Sequence, residues 1–564
     1  MDSRAAGGLV PHVPSTGPSV RRTPSLDRSA AVAADPPRLS REIELLPPME
    51  GSADWFIRRG TQQYFKVKPD LAHLVTTIDG TTTKKQIVDE LGDPWDLAQV
   101  DLGLQLLAKA DVLEGQRPPR RRGPLRFVPP LTIQLTLCNP SRMLTWLARL
   151  MPWIKSPVLL LVSVGVAVAG LVALLLRGDA LVAALSQPVS YATLFALFLG
   201  ILVSTALHEV GHGLVLAAYG AAPNRLGVML FYLLPAFFCD VSDGWRLPKP
   251  SQRVHVAMAG IAVQWMIAGT SALLTLVPVL DGWSQGLMIF TVITFTASLM
   301  NLIPFVKLDG YIALMNHVDV SHLRDKAIAD ARGWTLRLLL GVTPPPRQLP
   351  QFRWAILFGI GCMIFPLVIV ANALLIWSTT LQRLGPAGSG ILLLALVAAL
   401  FGLGKELFSG FSWKTLSTAV RVRAVGVAAV VAAGAAVALA VIPVPQTLSG
   451  GYIVEESGSE LLLPASASLS LLEAGDRVSL REAGIVLQGE IGVATSAASA
   501  DAAEASTRPF YSLFAVTDVE PRIPVTILPI TLVEEPAVSH GVAVVELGDV
   551  PLGVWLLQRI GLSG

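Results

Sequence analysis

Seven apolar runs fill the middle of the chain, near residues 157–176, 190–219, 254–279, 286–306, 354–378, 390–408 and 423–442. Each is close to the ~20 residues a helix needs to cross a bilayer. On either side the pattern changes period. Gln63–Val67 alternates as a strand does, and Asp70–Ile78, Thr83–Leu91 and Leu97–Ala110 follow with helical spacing. Asp111–Gly115 then closes the unit like a wing. After residue 444 the apolar runs are short and separated by turn signals: Glu460–Leu463, Gly484–Leu487, Ile523–Leu528 and Gly541–Glu546. Residues 497–507 are Ala/Ser-rich and read as a flexible loop. Residues 1–50, rich in Pro, Ser, Ala and Arg, lack an apolar core and read as a disordered tail without a cleavable signal. The pattern predicts a membrane α-helical bundle of about seven spans (117–443). A small N-terminal winged-helix-like domain (51–116) precedes it, and a C-terminal all-β domain (444–564) follows.

Composition agrees. The 564 residues are 52% hydrophobic and only 15% charged, with a mean hydropathy of +0.58. Soluble globular chains carry about 25% charged residues. The net charge of +2 hides a segregation. Arg120–Arg122, Arg126, Arg142, Arg149 and Lys155 precede the first apolar run, and alternate loops (220–253, 307–353, 409–422) hold thirteen of the seventeen Lys and Arg between residues 157 and 443. Positive-inside logic puts those loops and the N-terminus in the cytoplasm, with residues 444–564 outside. That last stretch has fifteen acidic against five basic residues, a net of −10. The Arg120–Arg122 triplet abuts the membrane, so it reads as a topology anchor and not as a nucleic-acid site. Three separated cysteines (Cys138, Cys239, Cys362) give neither a disulfide framework nor a cysteine zinc site.

Candidate chemistry lies inside the second run, at His208-Glu209-Val210-Gly211-His212. Positions i and i+4 share a helix face, so both imidazoles can grip one cation with Glu209 beside it as a base. Ionisable groups at a bilayer centre cost roughly 2.5–3.5 kcal/mol each on insertion scales, so such a cluster calls for a function. A hydrolytic zinc site wants a third protein ligand and an open position. Asn301-Leu302-Ile303-Pro304 through Leu308-Asp309-Gly310, at the end of another span, offers a carboxylate.

Together these two segments resemble the site-2 protease family of intramembrane zinc proteases. The resemblance implies that His208, His212 and Asp309 bind Zn2+, that Glu209 activates water, and that Asn301 contacts substrate. The family joins Asn directly to Pro, whereas Leu302 and Ile303 intervene here, which bears on Asn301 more than on Asp309. Helix rise places His208 about 27 Å and Asp309 about 35 Å into their co-directed spans, both toward the cytoplasmic end. Leu230–Pro248, with Ala257-Met-Ala-Gly260, is similar to the bacterial peptide zinc metalloprotease branch of that family. Within it, Asp240 and Asp243 read as caps of the turn before Trp245 sooner than as ligands. His255 and Cys239 read as packed side chains.

Residues 55–115 resemble PqqD-like domains, which hold the leader of a ribosomally made peptide. Leu472–Val478 and Val544–Leu557 resemble the β-barrel domains of secretion adaptors. The resulting expectation is a zinc endopeptidase that removes a leader from a modified peptide precursor, with a peptide exporter as a partner. Cleavage of a membrane-anchored regulator and non-proteolytic export are the alternatives.

Overall fold

The computed structural model describes residues 10–12, 35–40, 43–49, 53–59, 63–114, 125–128, 132–231, 234–382, 390–391, 394, 417–455, 458–465, 472–484, 486–499, 503–509, 516–517 and 522–559. The Arg120–Arg122 triplet, most of the predicted sixth span and much of the tail lie outside these residues. The chain forms two compact units. One comprises residues 1–166, 202–267 and 297–323, the other 167–201, 268–296 and 324–564.

The first unit opens with a sheet and three helices. Strands β1 (Val10–His12), β2 (Ile43–Leu46), β3 (Trp55–Arg59) and β4 (Gln63–Val67) lie in the order β1-β4-β3-β2, every pair antiparallel. Helices α1 (Pro69–Thr77), α2 (Lys84–Leu91) and α3 (Leu97–Lys109) follow, within a residue of the sequence expectation. Proline starts α1, and a reciprocal Thr83/Gln86 capping box starts α2. Ile57, Leu74, Ile87, Leu104 and Leu107 are fully buried in the shared core. Two expectations differ. Ordered structure reaches back before residue 50, because Ile43 and Leu45 pack against this core. Asp111–Glu114 forms no hairpin wing: Leu113 bridges Leu39.

The same unit contains a second sheet, β5 (Leu125–Val128), β6 (Thr132–Cys138), β8 (Leu226–Phe231) and β9 (Leu234–Cys239), in the order β5-β6-β8-β9. The amphipathic helix α4 (Ser141–Leu150) follows β6.

Among the described residues, five helices are long and apolar enough to cross a membrane. They are α5 (Val158–Leu176), α7 (Tyr191–Ala218), α8 (Pro250–Leu274), α9 (Ser284–Leu302, with the 3-10 turn from Pro278) and α13 (Thr418–Val441). Short α6 (Gly178–Ser186) and strand β7 (Val189–Ser190) link α5 to α7. The predicted fifth span coincides with α12 (Ala355–Gln382), whose described apolar stretch is Ala355–Ile369. Among the described residues, then, five of the seven expected spans meet the length and hydropathy of a crossing helix. The fourth ends at Leu302 and not at 306, because Pro304 cannot continue a helix. The chain turns, and α10 (Asp309–His317) and α11 (Leu323–Leu340) follow.

In the second unit, residues 443–551 form one antiparallel sheet of seven strands. These are β10 (Pro443–Glu455), β11 (Gly458–Pro464), β12 (Arg477–Arg481), β13 (Glu490–Ser496), β14 (Glu504–Pro509), β16 (Arg522–Glu534) and β17 (His540–Pro551). A further β11–β16 pairing closes six of them into a ring around Tyr452, Leu461, Val478 and Val545. Short β15 (Val516–Thr517) pairs with β7, and α14 (Leu552–Arg559) ends the described chain. The stretch is β-rich as expected but not all-β, since α14 lies within it, and one strand is misplaced. Of the run expected over Gly484–Leu487, the described residues Gly484, Val486 and Leu487 are not in a strand; the Val486 and Leu487 N–H groups donate to Leu185 O. Glu504–Pro509, part of which reads as a flexible loop, is a strand paired with β16.

Candidate metal centre

His208 and His212 lie one turn apart in the second half of α7, and both are buried. Their Nε2 atoms are 3.1 Å apart. Asp309, the first residue of α10, brings Oδ2 to 2.9 Å from His208 Nε2 and Oδ1 to 3.4 Å from His212 Nε2. Donors on a tetrahedral zinc at about 2.0–2.1 Å stand about 3.3 Å from one another, so these separations suit one small cation. His212 Nδ1 lies 2.7 Å from Val256 O. Donating there fixes the tautomer and turns the Nε2 lone pair toward Asp309.

The fit is tested by what faces the two nitrogens. A Cβ built on Gly260 of α8 would lie 2.5 Å from His212 Nε2 and 2.6 Å from His208 Nε2. Only glycine leaves room there for a third body. The donor set, two imidazoles and one carboxylate, is that of hydrolytic zinc sites. His208, His212 and Asp309 therefore fit a metal ion.

Asp309 gets to this place by a tight return of the chain. A Cβ on Gly310 would lie 2.0 Å from Leu302 O, so the first turn of α10 presses on the end of α9. The ~35 Å depth expected for Asp309 assumed one continuous helix, and this return shortens it. Trp265 Nε1 donates to Ser298 Oγ at 3.0 Å, tying α8 to α9 just before the return. Burial alone would raise the Asp309 carboxyl pKa, but the imidazoles of His212 and His208 overcome it and hold the group well below the usual carboxylate range.

Glu209 points elsewhere than its neighbours. Its Oε2 accepts the Cys239 backbone N–H at 2.8 Å, so the end of β9 holds the candidate base. The Cys239 thiol pKa is raised, first by burial and then by the charges of Glu209 and Asp240. Asn301 falls in the last turn of α9, before the chain return. Asp240 accepts Ser242 N–H at 3.2 Å and Ser242 Oγ–H at 2.6 Å, and it pairs with Arg225 at 3.3 Å. Asp243 accepts Ala222 N–H at 2.8 Å and pairs with Arg246. Both hold the loop together. His255 Nδ1 lies 2.8 Å from Tyr219 Oη, remote in sequence from both motifs. Three contributors escaped sequence reasoning as site components. Val256 and Cys239 act through backbone atoms, and Gly260 acts through the side chain it lacks.

The chain is similar to a Mycobacterium tuberculosis protein described as "Putative zinc metalloprotease Rip2". It is 29% identical over 226 residues in strain H37Rv and 28% identical over 226 residues in strain Erdman. In each case the match covers 35% of this chain and 83% of that protein. No family model matches the chain, and no solved structure matches it.

Proposed function

We propose that this protein is an intramembrane zinc endopeptidase of the site-2 protease type. One observation carries the reading: three donors from α7 and α10 converge within 4.8 Å of one another, opposite the side-chain-free face of Gly260. The distant similarity to a zinc metalloprotease and the five membrane-length helices support it. His208, His212 and Asp309 hold the metal. When bound, zinc supplies Lewis acidity toward water and the scissile carbonyl. Glu209, positioned by Cys239 N–H, accepts the proton of the attacking water and returns it to the departing amine.

A peptide in a helix hides its carbonyls in internal hydrogen bonds, so the substrate must be extended at the point of cutting. Among the described residues β9 pairs on one side only, with β8, and its end carries the amide that holds Glu209. That edge supports a peptide as substrate, since an unpaired strand edge is a template for an extended chain.

The substrate we propose is a ribosomal peptide precursor that loses its leader near the cytoplasmic face. Its support lies within the first unit, where the N-terminal sheet meets the elements of the metal centre. Arg246 Nη2 donates to Pro47 O at 3.3 Å, and Met49 packs on the cluster that includes Leu214 and Val256. Asp54 and Lys66 line one side of a cavity of about 240 Å3, with Arg253, Asn316 and Asp319 on the other. A peptide held by that domain is tethered beside the centre, which raises its local concentration.

Incubating purified protein with candidate precursors and weighing the products tests this reading. Glu209→Gln is expected to keep its zinc and lose cleavage. Retained cleavage contradicts the mechanism, and cleavage of membrane-anchored regulators alone contradicts the substrate.

A further inference from the structure

Helix α4 divides its surface in a way that catalysis does not use. Asn139 Oδ1 accepts Ser141 N–H at 3.0 Å at its start, and Pro152 follows its end. Leu144 and Ala148, one turn apart, are buried in the core that also holds Leu214–Ala218 and Val256. The next arc carries Met143, Trp146 and Leu150, which are 54%, 62% and 60% exposed; Trp153, in the turn that follows, is 53% exposed. Arg142 and Arg149, seven residues apart, border that arc on its far side, and Lys155 follows. No acidic residue occurs between 139 and 157. Only Ser156 and Pro157 separate the turn from the first membrane helix at Val158.

We infer that α4 and its following turn form a docking surface for anionic lipid headgroups, on the leaflet from which α5 enters the bilayer. Seven residues, four of them in the tight 3-10 turn, join the end of α4 to Val158, so α4 is held close to the surface that α5 enters. Exposed tryptophans beside arginines are the composition of an in-plane interfacial helix: the rings sit at the headgroup boundary while the cationic heads reach the phosphates. Each basic side chain at an anionic surface strengthens attraction about fivefold. The buried side reaches the metal centre. A Cβ placed on Gly213 would lie 2.7 Å from Leu144 Cδ1, so this leucine rests on the backbone of the residue after His212. A lipid-held α4 thereby braces the turn of α7 that carries the second imidazole.

Full-length protein is reconstituted in vesicles of equal parts phosphatidylcholine and phosphatidylglycerol, with one or the other lipid brominated high on its acyl chains. The difference in tryptophan quenching between wild type and the Trp146→Phe/Trp153→Phe variant isolates these two rings. That difference is expected to be at least about twofold larger with bromine on phosphatidylglycerol. The excess is expected to shrink in about 1 M salt, where the screening length falls to about 3 Å. It is expected to vanish in Arg142→Gln/Arg149→Gln/Lys155→Gln, whose replaced side chains are all exposed. No quenching from either lipid overturns the interfacial placement. Equal quenching from both in the wild type, or an excess that survives the triple substitution, overturns the headgroup preference.

Discussion

The chemistry of this protein rests on a few atoms whose roles can be separated by substitution. Glu209 lies outside the group of three donors proposed to hold zinc, so Glu209→Gln leaves His208, His212 and Asp309 in place. Purified Glu209→Gln protein is expected to carry as much zinc as wild type while peptide cleavage falls at least about a hundredfold, the scale of general-base catalysis. Gly260→Ala should do the opposite to the metal. Its methyl group would stand 2.5–2.6 Å from both Nε2 atoms, too close for any third body, so zinc content measured by atomic emission should fall toward zero. The histidine pair was legible because two ligands on one helix leave an i,i+4 trace. Asp309, about a hundred residues later, leaves no periodic trace and was found through a resemblance to known motifs. Gly260 lay in a quoted motif without a role, since nothing in a sequence marks a position that must stay clear of side-chain atoms.

At the scale of elements, periodicity was a good guide wherever an element has one buried side. The three N-terminal helices appear within a residue of their expected positions because α1, α2 and α3 each turn one face to a common core. Thr83→Ala removes the capping box of α2, which should cost about 1 kcal/mol and show as faster hydrogen exchange confined to that helix. The fourth span was misjudged at its end, since apolar Ile303, Phe305 and Val306 continue the hydropathy although Pro304 ends the helix. Strands fared less evenly. Gly484–Leu487 has the composition of a strand, but its Val486 and Leu487 amides donate to Leu185 O. In the ring of β-strands, Tyr452 is pushed up to about 12, chiefly by burial and then by the Glu482 charge. A pKa raised by folding means stability that is present below the unfolded value near 10 and lost as pH climbs toward 12. Circular dichroism of the C-terminal strands should therefore show alkaline loosening between about pH 10 and 12. The Tyr452→Phe variant should show less of it.

At the scale of the whole molecule, charge and hydropathy decide sidedness. Basic loops flank alternate spans, and residues 444–564 carry a net −10. Protease added to intact spheroplasts is accordingly expected to digest the C-terminal β domain and to spare the N-terminal sheet and helices. Digestion of both, or of the N-terminal domain alone, contradicts the proposed topology. The broad plan was legible from the chain because membrane helices and half-buried strands carry their environment in their composition. The meeting of α7, α8 and α10 was not, because it depends on a chain return at Leu302–Gly310 and on a backbone carbonyl at Val256. That meeting is the central claim. Zinc K-edge X-ray absorption of the purified protein tests it most directly. The expected first shell holds two imidazole nitrogens and oxygen, and Asp309→Ala should lower the zinc content sharply. A shell containing sulfur, or zinc retained in full by the Asp309→Ala variant, would contradict the account.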